Sequence, residues 1–266
     1  MRDRREFSRA SRVHRDGLVA SSSDEVLIGR HPVREALRTR RPMSRILVQD
    51  GTSQGSLGEI INLARAAGVP VHRVPRAKLD QVAGDLPHQG IAAYVAVRSL
   101  LSMKDAEALI SQAEEPLVFI LDGIQDPHNL GAILRVANAV ACTVVIIPER
   151  GAVGLTATVA KASAGAVEYV PVVGVTNIAQ SIMRLKELGV FVFAADPGAS
   201  TRYYQNDWTG SVGIVIGAEG QGVRPLVKQR CDGMVSLPMM GQVGSLNAAT
   251  AAAVLGFEVL RQRSAR

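Results

Sequence analysis

The stretch "LVFILDGIQDPHNLGAILRVANAVACTVVII", residues 117–147, places two apolar runs on either side of a segment with helical periodicity. The runs LVFIL and TVVII have the length of buried strands. Between them, Ala132, Ile133, Val136 and Ala137 give a helix one apolar face. Two strands joined through a helix predict parallel pairing, because the crossover returns the chain to the same end of the sheet.

Four further apolar runs of strand length continue this pattern towards the C-terminus: YVPVV, VFVFA, VGIVIG and MVSLP. Helical stretches separate most of them. Buried strands alternating with helices predict an α/β fold with a parallel sheet that is covered on both faces. Ligands bind such sheets beyond the carboxyl ends of the strands, so the residues after each run are the candidates for function.

The residues ahead of this sheet form a smaller α/β pattern. EVLIG, RILVQ, VPVHRV and IAAYVAV are strand-like, whereas HPVREALRT and the segment from Ser56 to Ala67 have helical spacing. We therefore predict a small domain over residues 25–97 and a large domain over residues 116–266. Residues 98–115 are polar and are predicted to form a linker, with a helical part around residues 104–112.

The positive charge of the chain is concentrated at its start. The net charge is +6, and residues 1–45 hold twelve Arg against six acidic residues, which accounts for all of the excess. Residues 1–24 lack sustained apolar periodicity and are predicted to be a disordered basic arm. A basic arm on a neutral body indicates contact with a polyanion such as RNA, although a merely solvated tail has the same composition.

The composition, with 47% hydrophobic and 20% charged residues, is that of an ordinary globular protein. Cys142 and Cys231 lie in apolar segments without a CxxC motif, and the five His show no metal-binding spacing, so neither a disulfide framework nor a metal site is predicted. The apolar runs are too short to span a membrane, and the Arg-rich start lacks the apolar core of a secretory signal. A reducing cytoplasm is the expected location.

Three loops rich in Gly, Ser or Asn follow three of the apolar runs. Asn129 and Arg135 lie six residues apart in the first, Gly217 and Glu219 begin the second, and Ser245 and Asn247 stand before the Ala-rich final helix. A helix cap with an exposed Arg, or a plain turn with a solvated Glu, would explain each loop taken alone. Three loops at corresponding places instead predict a single composite pocket.

The motifs in these loops resemble those of a known family. NLGAILR, IGAEGQGV and LPMMGQVGSLNAATAAAVLGFEVLRQ stand in the order of the three motifs of the SpoU or TrmH branch of the SPOUT methyltransferases. The small domain, including HQGI at residues 88–91, resembles the ribosomal-protein L30-like substrate-binding domain of that branch. The combination is most similar to bacterial enzymes that methylate a guanosine ribose in 23S ribosomal RNA.

This resemblance implies the fold and the chemistry. It implies S-adenosylmethionine as cofactor, a trefoil knot formed by the C-terminal segment, a homodimer and RNA as partner. The implied catalytic residues are Asn129, Arg135, Glu219, Ser245 and Asn247. The implied cofactor-binding residues are Gly217, Leu237 and Leu246, with no metal.

The implied reaction transfers a methyl group to a ribose 2′-hydroxyl, and the part played by Arg135 has two interpretations. The family assigns activation of the hydroxyl to this Arg. A guanidinium is protonated at neutral pH, however, so gripping a phosphate and stabilising alkoxide charge is physically easier. Transfer RNA as substrate, a non-catalytic RNA-binding protein and a nucleotide-dependent oxidoreductase are the alternatives, and the absence of GxGxxG argues against the last.

Overall fold

The computed structural model describes residues 24–52 and 55–265, without the side chain of Ser56. The predicted basic arm lies outside the described residues except for Asp24, which begins the first strand. Among the described residues, none of the helices combines the length and apolar character that crossing a membrane requires.

The small unit is a four-stranded sheet with helices on both faces. Its elements are β1 (Asp24–Ile28), α1 (Arg30–Arg38), β2 (Met43–Gln49), α2 (Gly55–Ala66), β3 (Val71–Val74), α3 (Arg76–Ala83) and β4 (Ile91–Ala96). The order is β1-β4-β2-β3, with β4 antiparallel to both neighbours and β2 parallel to β3. The strands predicted for this part of the chain are confirmed.

The large unit is built on a six-stranded parallel sheet. Its elements are α4 (Met103–Gln112), β5 (Leu117–Asp122), α5 (Pro127–Ala139), β6 (Val144–Pro148), α6 (Ala157–Ala162), β7 (Val172–Val175), α7 (Ile178–Glu187), β8 (Phe191–Ala195), β9 (Val212–Gly217), α8 (Pro225–Arg230), β10 (Gly233–Val235) and α9 (Ala248–Ser264). The order is β10-β8-β9-β5-β6-β7, and every pairing is parallel. The six predicted strands and their parallel arrangement are confirmed.

Helices cover both faces of this sheet. On one face, Ile133 of α5 and Leu255 of α9 belong to the same buried cluster as Phe119. A Cβ at Gly256 would lie 2.9 Å from Cζ of Phe119, so only a glycine lets α9 approach the sheet this closely. On the other face, residues of α4, α7 and α8 pack against Val118 and Ile120.

The segment predicted as a linker contains α4, which packs against the sheet. Ser102 and Asp105 form a reciprocal capping box that begins this helix. Ala106 and Ile110 are buried in the cluster on the α7 side of the sheet. The helical part of residues 98–115 therefore belongs to the core of the large unit.

The two units share a charged contact surface. Arg41, between α1 and β2, pairs with Glu168 of the large unit at 2.9 Å and with Glu25 at 2.6 Å. The hydroxyl of Tyr169 donates to Oε2 of Glu35 at 2.6 Å. These contacts join α1 and β1 to the segment that follows α6, so the small unit is held against one side of the large one.

Candidate active site

The predicted site residues follow strands that end at one edge of the parallel sheet. Asn129 lies beyond β5, Glu219 beyond β9, and Ser245 and Asn247 beyond β10. Because β5 and β9 are neighbours in the sheet, the loops after them begin side by side. The site thus lies at the carboxyl ends of the strands, where α/β sheets bind ligands.

Asn129 lies in the first turn of α5 but does not cap it. Asp126 is the N-cap, its carboxylate accepts from the backbone N–H of His128 at 2.9 Å, and Pro127 occupies the first helical position. The side chain of Asn129 is therefore available for tertiary contacts. Its Nδ2 donates to Oε1 of Glu219 at 3.1 Å. His128 is exposed, and the structure places its ring in none of the described contacts of the site.

Asn247 combines a structural task with a contact to the other two loops. Its Oδ1 accepts from the backbone N–H groups of Ala249 at 2.9 Å and Thr250 at 3.2 Å, which caps α9. Its Nδ2 donates to Oδ1 of Asn129 at 2.8 Å and to Oε1 of Glu219 at 2.6 Å. We call Asn129, Glu219 and Asn247 the amide–carboxylate cluster.

The turn that carries Glu219 needs glycine where β9 ends. A Cβ at Gly217 would lie 2.0 Å from the carbonyl carbon of Gly222, closer than side-chain atoms approach backbone. The N–H of Gly222 donates to the carbonyl of Ala218 at 2.8 Å and closes the turn. Glu219 is exposed, but it accepts from two amides, so this turn is joined to the other two loops.

An ion pair that was not predicted from the sequence holds the far end of the same turn. Asp122, fully buried at the end of β5, accepts from the backbone N–H and from Nε of Arg224, each at 2.8 Å. Its own carbonyl accepts from the N–H of Ala218 at 3.2 Å. Asp122 thus fixes both ends of the loop that presents Glu219. The sequence feature that could have indicated this ion pair is an acidic residue directly after a buried apolar run.

A pocket of about 570 Å³ opens beside the cluster. Ile216, Val235, Leu237, Leu246 and Ala251 give it apolar walls. The glycine-rich turn after β9 and the segment from Gly244 to Ala248 form the rest of its mouth, including Gly217, Glu219, Ser245 and Asn247. The structure therefore brings together all the predicted cofactor-binding residues, and four of the five predicted catalytic residues lie at or against the pocket.

Arg135 is the predicted residue that the structure of one chain does not bring to the pocket. It is exposed on α5 and is not part of the pocket lining. Its guanidinium makes no hydrogen bond or ion pair with residues 24–52 or 55–265. One chain therefore brings four of the five predicted catalytic residues together and leaves Arg135, exposed on α5, outside the pocket.

Asp196 and Lys228 form a charged pair in the pocket wall, which was also not predicted from the sequence. Asp196 follows β8, Lys228 lies on α8, and the two side chains pair directly. The hydrogen bond from Lys228 holds the pKa of the Asp196 carboxyl below its usual value. The carboxylate is therefore ionised at neutral pH.

Thiol and metal chemistry have no support in the described part of the chain. Burial raises the pKa of Cys142 and that of Cys231 to about 12, so both thiols stay protonated at neutral pH. Residues 24–52 and 55–265 contain no group of His, Cys, Asp and Glu side chains arranged to hold a metal ion.

Two family models match this chain. The SpoU rRNA Methylase family matches residues 116–257, and a family described as RNA 2′-O ribose methyltransferase substrate binding matches residues 26–99. A protein of Staphylococcus saprophyticus, assigned to the TrmH family of tRNA/rRNA methyltransferases, is 45% identical over 90% of this chain and 96% of its own length. YacO of Bacillus subtilis, with the same assignment, is 42% identical over 92% of this chain and 98% of its own.

Solved structures share the fold. The SpoU methyltransferase AviRb from Streptomyces viridochromogenes, crystallised with the cofactor AdoMet, superposes with a TM-score of 0.77 at 22% identity and covers 91% of each chain. An rRNA methyltransferase from Sinorhizobium meliloti, also AdoMet-bound, superposes with a TM-score of 0.75 over 90% of this chain and 88% of its own, at 21% identity. With its motifs at the carboxyl ends of a six-stranded parallel sheet, the chain belongs to the SpoU (TrmH) family and is an RNA methyltransferase of that family.

Proposed function

We propose that this protein transfers a methyl group from S-adenosylmethionine to a ribose 2′-hydroxyl of RNA, and that the acceptor is a guanosine of 23S ribosomal RNA. The observation that carries the proposal is the amide–carboxylate cluster at the mouth of the 570 Å³ pocket. It puts polar groups able to orient a hydroxyl next to a cavity of cofactor size.

The pocket lining fits the proposed cofactor. Its apolar walls, including Leu237 and Leu246, suit an adenine ring, and Gly217 keeps the backbone of the turn close. A Cβ at Gly220 or Gly244 would meet nothing within 4 Å, so both positions border open space. The carboxylate of Glu219, which has no cationic partner among the described residues, suits a ligand with a positively charged group. The AdoMet bound to AviRb, which shares this fold, supports the assignment.

The cofactor supplies an electrophilic methyl group on a positively charged sulfur. The residues of the chain then need to hold the acceptor hydroxyl in line and to stabilise charge as its proton leaves. Both amide donors of the cluster bond to Oε1 of Glu219, which leaves Oε2 to accept a hydrogen bond from a ribose hydroxyl. Ser245, exposed at the pocket, offers a hydroxyl of its own to the substrate.

We propose a homodimer in which Arg135 of a second copy completes this site. Arg135 is exposed on α5, and α9 packs against that helix. The outer face of α9 presents Phe257, 49% exposed, and Leu260, 37% exposed, so this side of the molecule is apolar enough to associate. In that dimer Arg135 grips the phosphate beside the reacting ribose and stabilises alkoxide charge, as a protonated guanidinium can.

The remaining parts of the chain are proposed to hold the RNA. Residues 25–97 are the substrate-binding domain, similar to ribosomal protein L30. Residues 98–115, whose helix α4 packs in the large unit, lead from them into the methyltransferase domain of residues 116–266. The basic arm, residues 1–24, adds phosphate contacts. The C-terminal segment that precedes α9 is proposed to thread a loop and form the trefoil knot, and the cytoplasm is the proposed location.

One alternative within the same chemistry is a transfer RNA substrate. The relatives are assigned to tRNA/rRNA methyltransferases, and a structure concerned with 2′-OH methylation of tRNA at C/U34 superposes over 57% of this chain with a TM-score of 0.52. The rRNA methyltransferase from Sinorhizobium meliloti superposes over 90% of this chain, and this fuller overlap favours the ribosomal substrate. A non-catalytic RNA-binding protein is the second alternative.

The test compares RNA from a strain lacking the gene with RNA from the same strain carrying either the wild-type gene or the Asn247→Ala variant. We expect one 2′-O-methylguanosine of 23S RNA to disappear in the deletion and to return only with the wild-type gene. Loss of a tRNA methyl group instead would identify the alternative substrate. Purified protein that binds RNA but transfers no tritium from labelled cofactor would contradict the enzymatic assignment.

A further inference from the structure

Asp196 and Lys228 occupy the side of the pocket that lies away from the amide–carboxylate cluster. The sheet order places β8 on one side of β9 and β5 on the other. Asp196 follows β8, whereas Glu219 follows β9 and contacts Asn129 beyond β5. With strands about 4.8 Å apart, the two acidic groups lie at neighbouring positions along the same edge. A ligand whose reacting atoms lie at the cluster therefore extends towards Asp196.

The hydrogen bonds of Asp196 leave part of its carboxylate unused. Oδ1 accepts from the backbone N–H of Gly198 at 2.8 Å, and Oδ2 pairs with Nζ of Lys228. Each carboxylate oxygen has two acceptor positions, so one position remains on each oxygen. The side chain is 15% exposed, and Asp196 lines the pocket. Two adjacent acceptor positions therefore remain for a ligand.

The pair with Lys228 decides which kind of ligand group suits these acceptors. Lys228 already neutralises the charge of Asp196, so the pair as a whole attracts a second cation only weakly. Two neighbouring neutral donors match the two open positions without adding charge. A cis-diol has this arrangement, since its two hydroxyls stand on adjacent carbon atoms and can each donate to one carboxylate oxygen.

We propose that Asp196, held by Lys228, binds the ribose cis-diol of the cofactor and so sets the direction in which the cofactor lies across the strand ends. This inference rests on the proposed function, because it takes an adenosine-containing cofactor as the occupant of the pocket. It assigns Asp196 to binding and leaves the transfer chemistry to the cluster on the other side of β9.

A similar pair at the other end of β8 provides a matched control. Asp232 accepts from the backbone N–H of Val192, at the amino end of β8, at 2.8 Å and pairs with Lys186 at 2.7 Å. It is an Asp–Lys pair with similar hydrogen bonds, but neither residue lines the pocket. Asp232→Asn therefore reports the general effect of losing such a pair.

The experiment measures the affinities of S-adenosylhomocysteine and of its 2′-deoxy and 3′-deoxy analogues by calorimetry. Wild-type protein and Asp232→Asn should both bind the parent compound about 10-fold or more tightly than either analogue, the scale of a hydrogen bond to a charged acceptor. In Asp196→Ala the parent compound should lose that advantage and bind about as weakly as the analogues. Because each variant is its own reference, a general loss of stability would weaken all three ligands alike and would not remove the preference for the parent compound. Asp196→Asn, which keeps one acceptor oxygen, should lie between the two.

The outcomes separate this inference from the proposed function. If wild-type protein binds S-adenosylhomocysteine but Asp196→Ala still prefers it over the deoxy analogues by the wild-type factor, the diol assignment is wrong and the cofactor assignment stands. If Asp196→Ala weakens S-adenosylhomocysteine but leaves 5′-methylthioadenosine unaffected, Asp196 holds the amino-acid end and the inference is also wrong. If wild-type protein binds none of these compounds, the proposed cofactor itself is contradicted.

Discussion

Asn129 and Arg135 lie in one short motif on one helix, yet their environments are opposite. Asn129 is buried in the first turn of α5 and bonds to Glu219 and Asn247. Arg135, almost two turns later, is exposed and has no partner among the described residues of the chain. The difference indicates that one end of the motif assembles the site within a chain, whereas the other is available to a second chain or to RNA.

The largest effect is expected at the outward-facing end of the motif. Arg135→Ala should reduce the single-turnover rate of methylation at saturating RNA by about 100-fold or more, the scale seen when one charge-stabilising donor is lost. Cofactor affinity should stay nearly unchanged, because Arg135 does not line the pocket. Arg135→Lys should restore little of the rate, since an ammonium cannot reproduce a planar pair of donors.

A control for this prediction lies on the other face of the sheet. Arg184→Ala removes an exposed Arg of α7 that pairs with Glu107 and Glu187. Its methylation rate should stay within about twofold of wild type, as surface substitutions have little effect. If Arg135→Ala loses cofactor binding while it remains folded, the assignment of Arg135 to the RNA side is wrong.

A smaller but still severe effect is expected at Gly217, which tests the inward-facing part of the site. The Cβ of Gly217→Ala would lie 2.0 Å from the Gly222 carbonyl carbon, so the turn has to move. We expect a loss of about 1–3 kcal/mol of stability and a clear loss of cofactor affinity. Gly210→Ala, whose Cβ would meet nothing within 4 Å, is the matched control. Equal behaviour of the two variants would contradict the proposed role of the turn.

Substitutions of Asn247 separate its capping role from its role in the cluster. Asn247→Ser keeps a cap for α9 but lacks the amide donor, whereas Asn247→Ala lacks both and should cost about 0.5–2 kcal/mol more. The two variants should methylate RNA equally slowly and differ in thermal stability. Equal stability would mean that the cap observed at Ala249 and Thr250 contributes little.

Asn247→Asp adds a pH dependence to the same comparison. The introduced carboxyl faces Oε1 of Glu219, where the amide now lies at 2.6 Å, while its other oxygen accepts from the N–H groups of Ala249 and Thr250. We expect the like charge of Glu219 to outweigh these two hydrogen bonds and to raise the folded-state pKa above the unfolded value of about 3.9. A raised pKa means stability that is present at low pH and lost as the pH rises. The melting temperature of the variant should therefore fall further below that of wild type as the pH rises from about 4 to about 7. A difference that stays constant would contradict the contact between residue 247 and Glu219.

The smallest effect is expected from the basic arm. Deleting residues 1–23, ahead of β1, should weaken RNA binding and reduce the slope of affinity against salt, because fewer phosphate charges are neutralised. The methylated nucleotide should stay the same, since phosphate contacts position the protein without reading sequence. A shift of the methylation site would show that the arm takes part in recognition.

Most of the fold could be predicted from the sequence, because strands and helices are determined by patterns of neighbouring residues. Each buried strand is a continuous apolar run, and both Gly217 and Asn247 lie in motifs that resemble a known family. The pairs Asp122–Arg224 and Asp196–Lys228 were not predicted, because they join residues 102 and 32 positions apart and depend on the final packing. What surrounds Arg135 was left open for the same reason, since helical spacing defines a face of the helix but not what covers it.

The most direct test of the account is whether Arg135 acts on the site of its own chain or of a second copy. Arg135→Ala protein and Asn247→Ala protein, each inactive alone, are mixed, unfolded and refolded together, and methylation is measured. If the Arg is supplied by the other copy, each mixed dimer holds one complete site, and a 1:1 mixture should recover about a quarter of wild-type activity. If both residues serve within one chain, every site in the mixture carries a lesion, and the absence of recovered activity in a verified mixed dimer would contradict the account.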